Sequence, residues 1–337
     1  MCGIGGFVGK RVVDPGQWRA MLAALKVRGP DAQKAVVWDG SFQETDGAGT
    51  AGLLHARLSI RDPRPEADQP MANTERDIWV CFNGEVYGFE ADREELRRQG
   101  YAFHTTSDTE FILHAYEAWG DAFVERLRGM FAIVILDLRR GRLFAVRDRL
   151  GLKPLLYYAD GENLAFASTL HALLPYLGDR ARMAPEAIDA YLAHRYVPAP
   201  LTLVQGVRRF ANGTCLAWEF GRGLSPELRT YWRPAPSVAD FQATLDSAVA
   251  LRTASDRPVG IFLSGGIDSA VVASSLVRQG YTNITAFTAT FPGTGYDEGP
   301  QAARMAKALG LAHRAIPVEP RLADDFDRIV ADLDEPF

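Results

Sequence analysis

"RPVGIFLSGGIDSAVVASSLVRQG", residues 257–280, decides how the last third of this 337-residue chain folds. An apolar run ends at Ser264, two glycines follow, and a helical pattern begins near Ile267 or Asp268 and closes at Gly280. Downstream, "ITAFTATF" (284–291) reads as a second strand. "DEGPQAARMAKALG" (297–310) reads as a helix with Ala302, Met305, Ala306 and Leu309 on one face, and "HRAIPV" (313–318) as a third strand. Alternating strand and helix predict a parallel α/β sheet.

The turn itself, "FLSGGIDSA" (262–270), has the makings of an anion site. Glycines let backbone approach a bulky anion, and the first N–H groups of the following helix point at it. Ser264 and Ser269 can donate hydroxyls to phosphate oxygens. Asp268 would repel phosphate unless Mg²⁺ bridges the two, so the carboxylate implies metal. The loop lacks the G-K-[ST] of a Walker A sequence and the G-x-G-x-x-G of a dinucleotide fold. A plain strand-to-helix turn with Ser or Asp as N-cap accounts for the same residues.

Upstream the texture differs. "DIWVCFNGEVYG" (77–88) alternates like a strand and breaks at Asn83-Gly84; "DTEFILHAYEAWG" (108–120) carries Ile112, Ala115, Tyr116 and Trp119 at helical spacing. "MFAIVILDL", "LFAVRD", "LLYYA" and "LAFAS", between 130 and 168, read as one antiparallel meander. A helix, "PEAIDAYLAH", follows at 185–194, and "GRGLSPELRTYWRPAPS" (221–237) has linker composition. Two domains are expected, 2–219 and 238–337, joined by a linker over 220–237.

Composition narrows the class of partner. A net charge of −5 argues against nucleic-acid and anionic-membrane binding, and no apolar run approaches the roughly 20 residues of a membrane span. Three cysteines without a C-x-x-C pair suit a reducing cytoplasm, and six scattered histidines form no transition-metal pattern. Cys81 and Cys215 read as buried small hydrophobes, and His55 as structural.

Cys2 is different. Removal of Met1 would place a thiol and a free α-amine on one residue, nucleophile and base together. Arg57 in "HARLSIRD" (55–62) offers a planar fork to a carboxylate, and Asn83 with the Gly84 N–H offers the donor pair that a tetrahedral oxyanion needs. Asp108, in "TTSDTE" (105–110), offers an anion. Singly, these residues read as well as a surface ion pair, a turn and an N-cap.

Taken in order, "CGI", "RGPD" (28–31), "HARLSI", "QPM" (69–71), "NGE", "SDTE" and "RDRLGLKPLLY" (147–157) resemble the class II glutamine amidotransferases. "LSGGIDS", which resembles the loop of ATP pyrophosphatases, together with "YDEGPQAARMAKALG" and "DLDEPF" (332–337), narrows the resemblance to the glutamine-hydrolysing asparagine synthetase family.

The resemblance implies an N-terminal-nucleophile αββα sandwich followed by a Rossmann-like ATP pyrophosphatase domain. Cys2 would attack the glutamine amide, with Asn83 and Gly84 as oxyanion hole. Arg57 would hold the glutamine α-carboxylate, residues Leu58, Ser59, Ile60 and Arg61 would line the site, Glu85 and Asp108 would take the α-ammonium, and Arg28 would sit on a loop over the pocket. Leu263, Ser264, Gly265, Gly266, Asp268, Ser269 and Ala289 would bind ATP, with Mg²⁺ at Asp268. Ammonia would then reach an aspartyl-adenylate, so glutamine, aspartate and ATP are the implied partners, and a homodimer is compatible with the sequence. Family members continue beyond "DLDEPF", so the second domain is expected to be incomplete as it stands and to expose strand edges. A relative amidating another carboxylate, and a binding subunit without ligase activity, are the competing readings.

Overall fold

The computed structural model describes residues 2–221, 228–236, 239–295, 297–319 and 322–336. They form two compact units, one of residues up to 234 together with 328–337, the other of residues 235–327. Residues 222–227 and 237–238 of the expected linker lie outside the described residues.

Among the described residues the first unit has twelve strands: β1 (Gly3–Val13), β2 (Ala32–Trp38), β3 (Gly49–Arg57), β4 (Met71–Ala72), β5 (Ile78–Val86), β6 (Gly129–Asp137), β7 (Arg142–Arg147), β8 (Leu156–Ala159), β9 (Asn163–Ala167), β10 (Val207–Arg209), β11 (Thr214–Glu219) and β12 (Arg229–Thr230). They make two antiparallel sheets, in the orders β10-β8-β9-β1-β3-β2 and β12-β11-β7-β6-β5-β4.

Alternation decides what each face meets. In β5, Trp79 and Cys81 point between the sheets, where they join Ile4 and Val8 of β1 and Leu53 of β3. Ile78, Val80 and Phe82 point the other way, onto the helix Asp108–Trp119. On the first sheet, Phe7, Leu54 and Ala56 pack outward against helices Pro15–Ala24 and Leu170–Leu177. The result is the expected four-layer αββα sandwich.

Two local expectations are corrected. The run from 130 to 168 is not a single meander: β6 and β7 belong to one sheet, β8 and β9 to the other. Asp148 makes the crossing, its carboxylate accepting from the backbone of Phe131, Leu150, Leu152 and Lys153 at 3.2, 3.0, 3.0 and 2.9 Å. Nor does β5 break at Asn83-Gly84, because both residues stay in register with Ala132 and Phe131 of β6. A Cβ at Gly84 would lie 2.0 Å from the Met130 carbonyl oxygen, so glycine is needed there for close strand approach rather than for a turn.

In the second unit β13 (Gly260–Phe262), β14 (Thr285–Thr290) and β15 (Ala312–Pro317) form a parallel sheet in that order. Helices Ile267–Arg278 and Gly299–Leu309 connect them. Leu263, Ala273, Ala286, Ala302 and Ala306 make its small core. Phe262, in the edge strand β13, is 84% exposed.

Candidate active site

Strand parity brings the first set of residues together. Gly3 pairs with Ala56, which sets Cys2, just ahead of β1, beside the end of β3. Residues 53, 55 and 57 of β3, and 79, 81 and 83 of β5, share the faces that look between the sheets. One pocket at the end of this layer is accordingly lined by Cys2, Arg57, Leu58, Asn83, Gly84, Glu85 and Asp108, with Ile60 and Arg61 on the adjoining loop. Ser59 is the member of the 58–61 run outside this wall; its N–H is held by Asp31 at 2.7 Å.

The Cys2 Sγ accepts from the Leu58 N–H at 3.4 Å and donates to the Leu58 carbonyl at 3.7 Å. Burial pushes the thiol above its ordinary range, so it needs a base to ionise. Arg28 Nε donates to the Cys2 carbonyl at 3.1 Å and so fixes the residue from behind. Asn83 is fully buried, and neither its Oδ1 nor its Nδ2 has a protein partner. A buried amide left unpaired costs on the order of 1–3 kcal/mol, which a ligand in the pocket can recover.

Arg57 is 5% exposed and heavily engaged. Its guanidinium donates to the carbonyls of Arg61, Asp62 and Arg64, and to Asp68 at 2.6 Å. It therefore braces the 61–68 loop as well as lining the pocket. Arg61, the second cation of the wall, donates to the Val86 carbonyl at 3.0 Å and covers the Phe89 ring.

Asp108 is not the N-cap of its helix. Ser107 takes that role, accepting from the Glu110 N–H at 3.2 Å. This frees the Asp108 carboxylate to accept from the Val86 N–H at 3.0 Å, and burial lifts its pKa from 3.8 to about 6.

Gln69, Ser107, Thr109 and Lys153 also line the pocket, beyond the expected set. Gln69 holds the Phe82 N–H and reaches Thr109 at 3.0 Å. The fragments "QPM" and "GLKPLLY" flagged these neighbourhoods without singling out either side chain. His55 stays outside the pocket: 1% exposed, it meets the Phe82 carbonyl across the sheets at 3.3 Å, and burial drives its pKa down to about 3. Cys81 and Cys215 are buried, and burial raises both thiols.

In the second unit the glycine loop meets the helix as expected. Gly266 is the N-cap and makes no side-chain cap bond, so neither Ser nor Asp caps the helix. The Ser264 and Ser269 hydroxyls bond each other at 2.9 Å, and the Gly266 N–H donates to Ser264 at 3.1 Å. Leu263 sits at the end of β13, its N–H on the Phe287 carbonyl at 2.8 Å, and Ala289 is exposed one strand over in β14. Among the described residues no three His, Cys, Asp or Glu side chains converge to hold a metal. At the loop, the Glu298 carboxylate accepts from the Gly265 N–H at 3.4 Å, so Asp268 and Glu298 are the carboxylates that would hold Mg²⁺ beside phosphate oxygens.

The sandwich thus carries a cysteine at the mouth of a pocket, with a buried, unpartnered amide beside it. Residues 1–232 match the glutamine amidotransferase domain family and residues 240–337 match asparagine synthase. The chain belongs to the glutamine amidotransferase family, with the domain order expected of a glutamine-hydrolysing asparagine synthetase.

It is 31% identical to asparagine synthetase [glutamine-hydrolyzing] 1 of Bacillus subtilis, over 92% of this chain and 48% of that one. It is 35% identical to a putative asparagine synthetase [glutamine-hydrolyzing] of Mycobacterium tuberculosis, over 100% of this chain and 55% of that one. The chain thus spans about half the length of these curated relatives. The fold resembles glutamine phosphoribosylpyrophosphate amidotransferase of B. subtilis, with a TM-score of 0.52 at 18% identity, over 97% of this chain and 70% of that one. No helix among the described residues is long and apolar enough to cross a membrane.

Proposed function

We propose that this protein hydrolyses glutamine at Cys2 and serves asparagine synthesis in the cytoplasm, with glutamine, aspartate and ATP as its small-molecule partners. The observation that carries the reading is the buried, unpaired Asn83 amide in the same pocket as Cys2.

With Met1 removed, the α-amine of Cys2 takes the thiol proton, and the sulfur attacks the glutamine side-chain carbonyl carbon. The oxyanion falls to the Asn83 Nδ2 and the Gly84 N–H. The C–N bond then breaks, the proton passes from the amine to the leaving nitrogen, and ammonia departs, leaving a γ-glutamyl thioester that water hydrolyses to glutamate. Arg57 and Arg61 offer cations to the substrate carboxylate, while Asp108 and Glu85 offer anions to its ammonium. The loop 263–269 and Ala289 hold ATP, which activates the aspartate side chain as an adenylate; attack by ammonia gives asparagine, with AMP and pyrophosphate as the other products. Mg²⁺ bound through phosphate oxygens would neutralise charge beside Asp268.

Glutamine-dependent ammonia release, lost in Cys2→Ala, tests the first half. Aspartate-dependent AMP formation tests the second. AMP formation with a different carboxylate would point to another acceptor, and the absence of both activities would leave a binding subunit.

A further inference from the structure

The pocket around Cys2 includes a buried cation that the proposed glutamine contacts do not call on. Lys153 is 5% exposed and reaches the pocket from the 148–155 crossover, an element separate from those carrying Arg57 and Arg61. Its backbone is held firmly. The Asp148 carboxylate accepts the Lys153 N–H at 2.9 Å, and Arg147 donates to the Lys153 and Gly151 carbonyls at 2.7 Å each. Such a loop fixes the point from which the side chain enters the pocket.

Keeping a lysine dehydrated is costly, and burial lowers its pKa here. A methionine of similar length would fill the space without that penalty. The charges that act on Lys153 are Glu85 first, then Arg28, Cys2 and Asp148.

The charged groups around the Cys2 sulfur are the amino terminus, Arg28, Arg57, Arg61 and Lys153 on the positive side, and Glu85 and Asp108 on the negative; the terminus, Arg57 and Asp108 act on the resting thiol most strongly. Arg57 is tied to Asp68 and loop carbonyls, Arg61 to the Val86 carbonyl, and Arg28 to the Cys2 carbonyl. Lys153, Glu85 and Cys2 line the same pocket, and both Glu85 and the sulfur bear on the lysine's charge.

Resting on the reading of Cys2 as the glutaminase nucleophile, we propose that Lys153 is a positioning residue that pairs with Glu85 and stabilises the Cys2 thiolate inside the pocket. It touches neither the amide being cleaved nor the leaving ammonia. It acts by offsetting the loss of hydration that the sulfur anion suffers on burial.

The test is the pH dependence of Cys2 alkylation by iodoacetamide, read by peptide mass spectrometry without substrate, alongside glutaminase kinetics. Lys153→Met is expected to raise the half-maximal pH by about one, a tenfold change in thiolate at neutral pH. It should lower kcat about tenfold with KM changed less than about threefold, since the loss falls on the nucleophile rather than on binding. Lys153→Arg should restore most of both. Glu85→Gln should move the alkylation midpoint downward, because it removes an anion and releases the cation.

An unchanged or lowered midpoint in Lys153→Met overturns the proposal, as does a raised KM with kcat intact. If that variant does not fold, Glu85→Gln decides alone: a midpoint that stays or rises overturns it. If the parent protein releases no ammonia, the functional reading fails, while the alkylation measurements still judge Lys153.

Discussion

Asp108→Asn should make the ligand-free protein more stable at neutral pH while impairing its use of glutamine. The Asp108 carboxyl is buried, and its pKa rises from 3.8 to about 6 chiefly because burial penalises the charged form. The sign follows from proton binding: between pH 4 and 6 the folded state holds a proton that the unfolded state has released, so stability falls as pH rises through this window. Above pH 6 the full cost applies, and the interval from 3.8 to about 6 corresponds to about 3 kcal/mol. Asparagine keeps an acceptor for the Val86 N–H but brings a buried NH₂ of its own, so a net gain of about 1–3 kcal/mol is expected at pH 7. Below pH 4 the gain should vanish.

Urea unfolding at pH 7 and pH 4, followed by tryptophan fluorescence, measures this. All six tryptophans lie at or before Trp232, so the signal reports on the first unit alone. A variant no more stable than its parent at pH 7, or one with the same gain at both pH values, refutes the argument. The substrate ammonium is proposed to be what makes the buried charge favourable. Its loss should raise KM for glutamine about 10- to 100-fold, the worth of a charge-assisted hydrogen bond.

Other outcomes are expected. Asn83→Ala should reduce kcat for ammonia release by about 10²–10³ with little change in KM, measured by steady-state kinetics, because the donor acts on the oxyanion. Gly84→Ala should destabilise the first unit by several kcal/mol in the same urea assay, since its Cβ would sit 2.0 Å from a backbone oxygen. Intact mass of active protein should show Met1 removed, and a glutamine-like electrophile should label Cys2 while sparing the buried Cys81 and Cys215; retained Met1, or label on either buried thiol, would count against the nucleophile assignment. Ser264→Ala should weaken nucleotide binding in calorimetry without altering glutamine hydrolysis.

Much of the architecture was legible because it is local. Alternation in 77–88 and the 3.6-residue spacing of Ile112, Ala115 and Tyr116 mark a strand and a helix whichever partners they find. The strand–glycine–helix of 257–280 and its two successors likewise define the parallel sheet, since alternating elements have few ways to pack. Asn83-Gly84 misled for the converse reason: as a dipeptide it signals a turn, and only pairing with β6 shows it extended. Asp108 read as a cap, and only the structure shows Ser107 taking that role while the Asp108 carboxylate accepts from the Val86 N–H.

By itself, the sequence determined the elements, the two-domain order and the types of residue available for chemistry at Cys2, Asn83 and the serine–glycine loop. Tertiary structure alone decided that β7 and β8 enter different sheets, that the crossover between them carries Lys153 into the pocket that holds Cys2, and that Arg57 braces a loop while lining the pocket. The physical reason is range. Periodicity and turn chemistry act over a few residues, whereas strand partners, burial of a charge and the supply of a hydrogen-bond acceptor are settled between segments far apart in the chain.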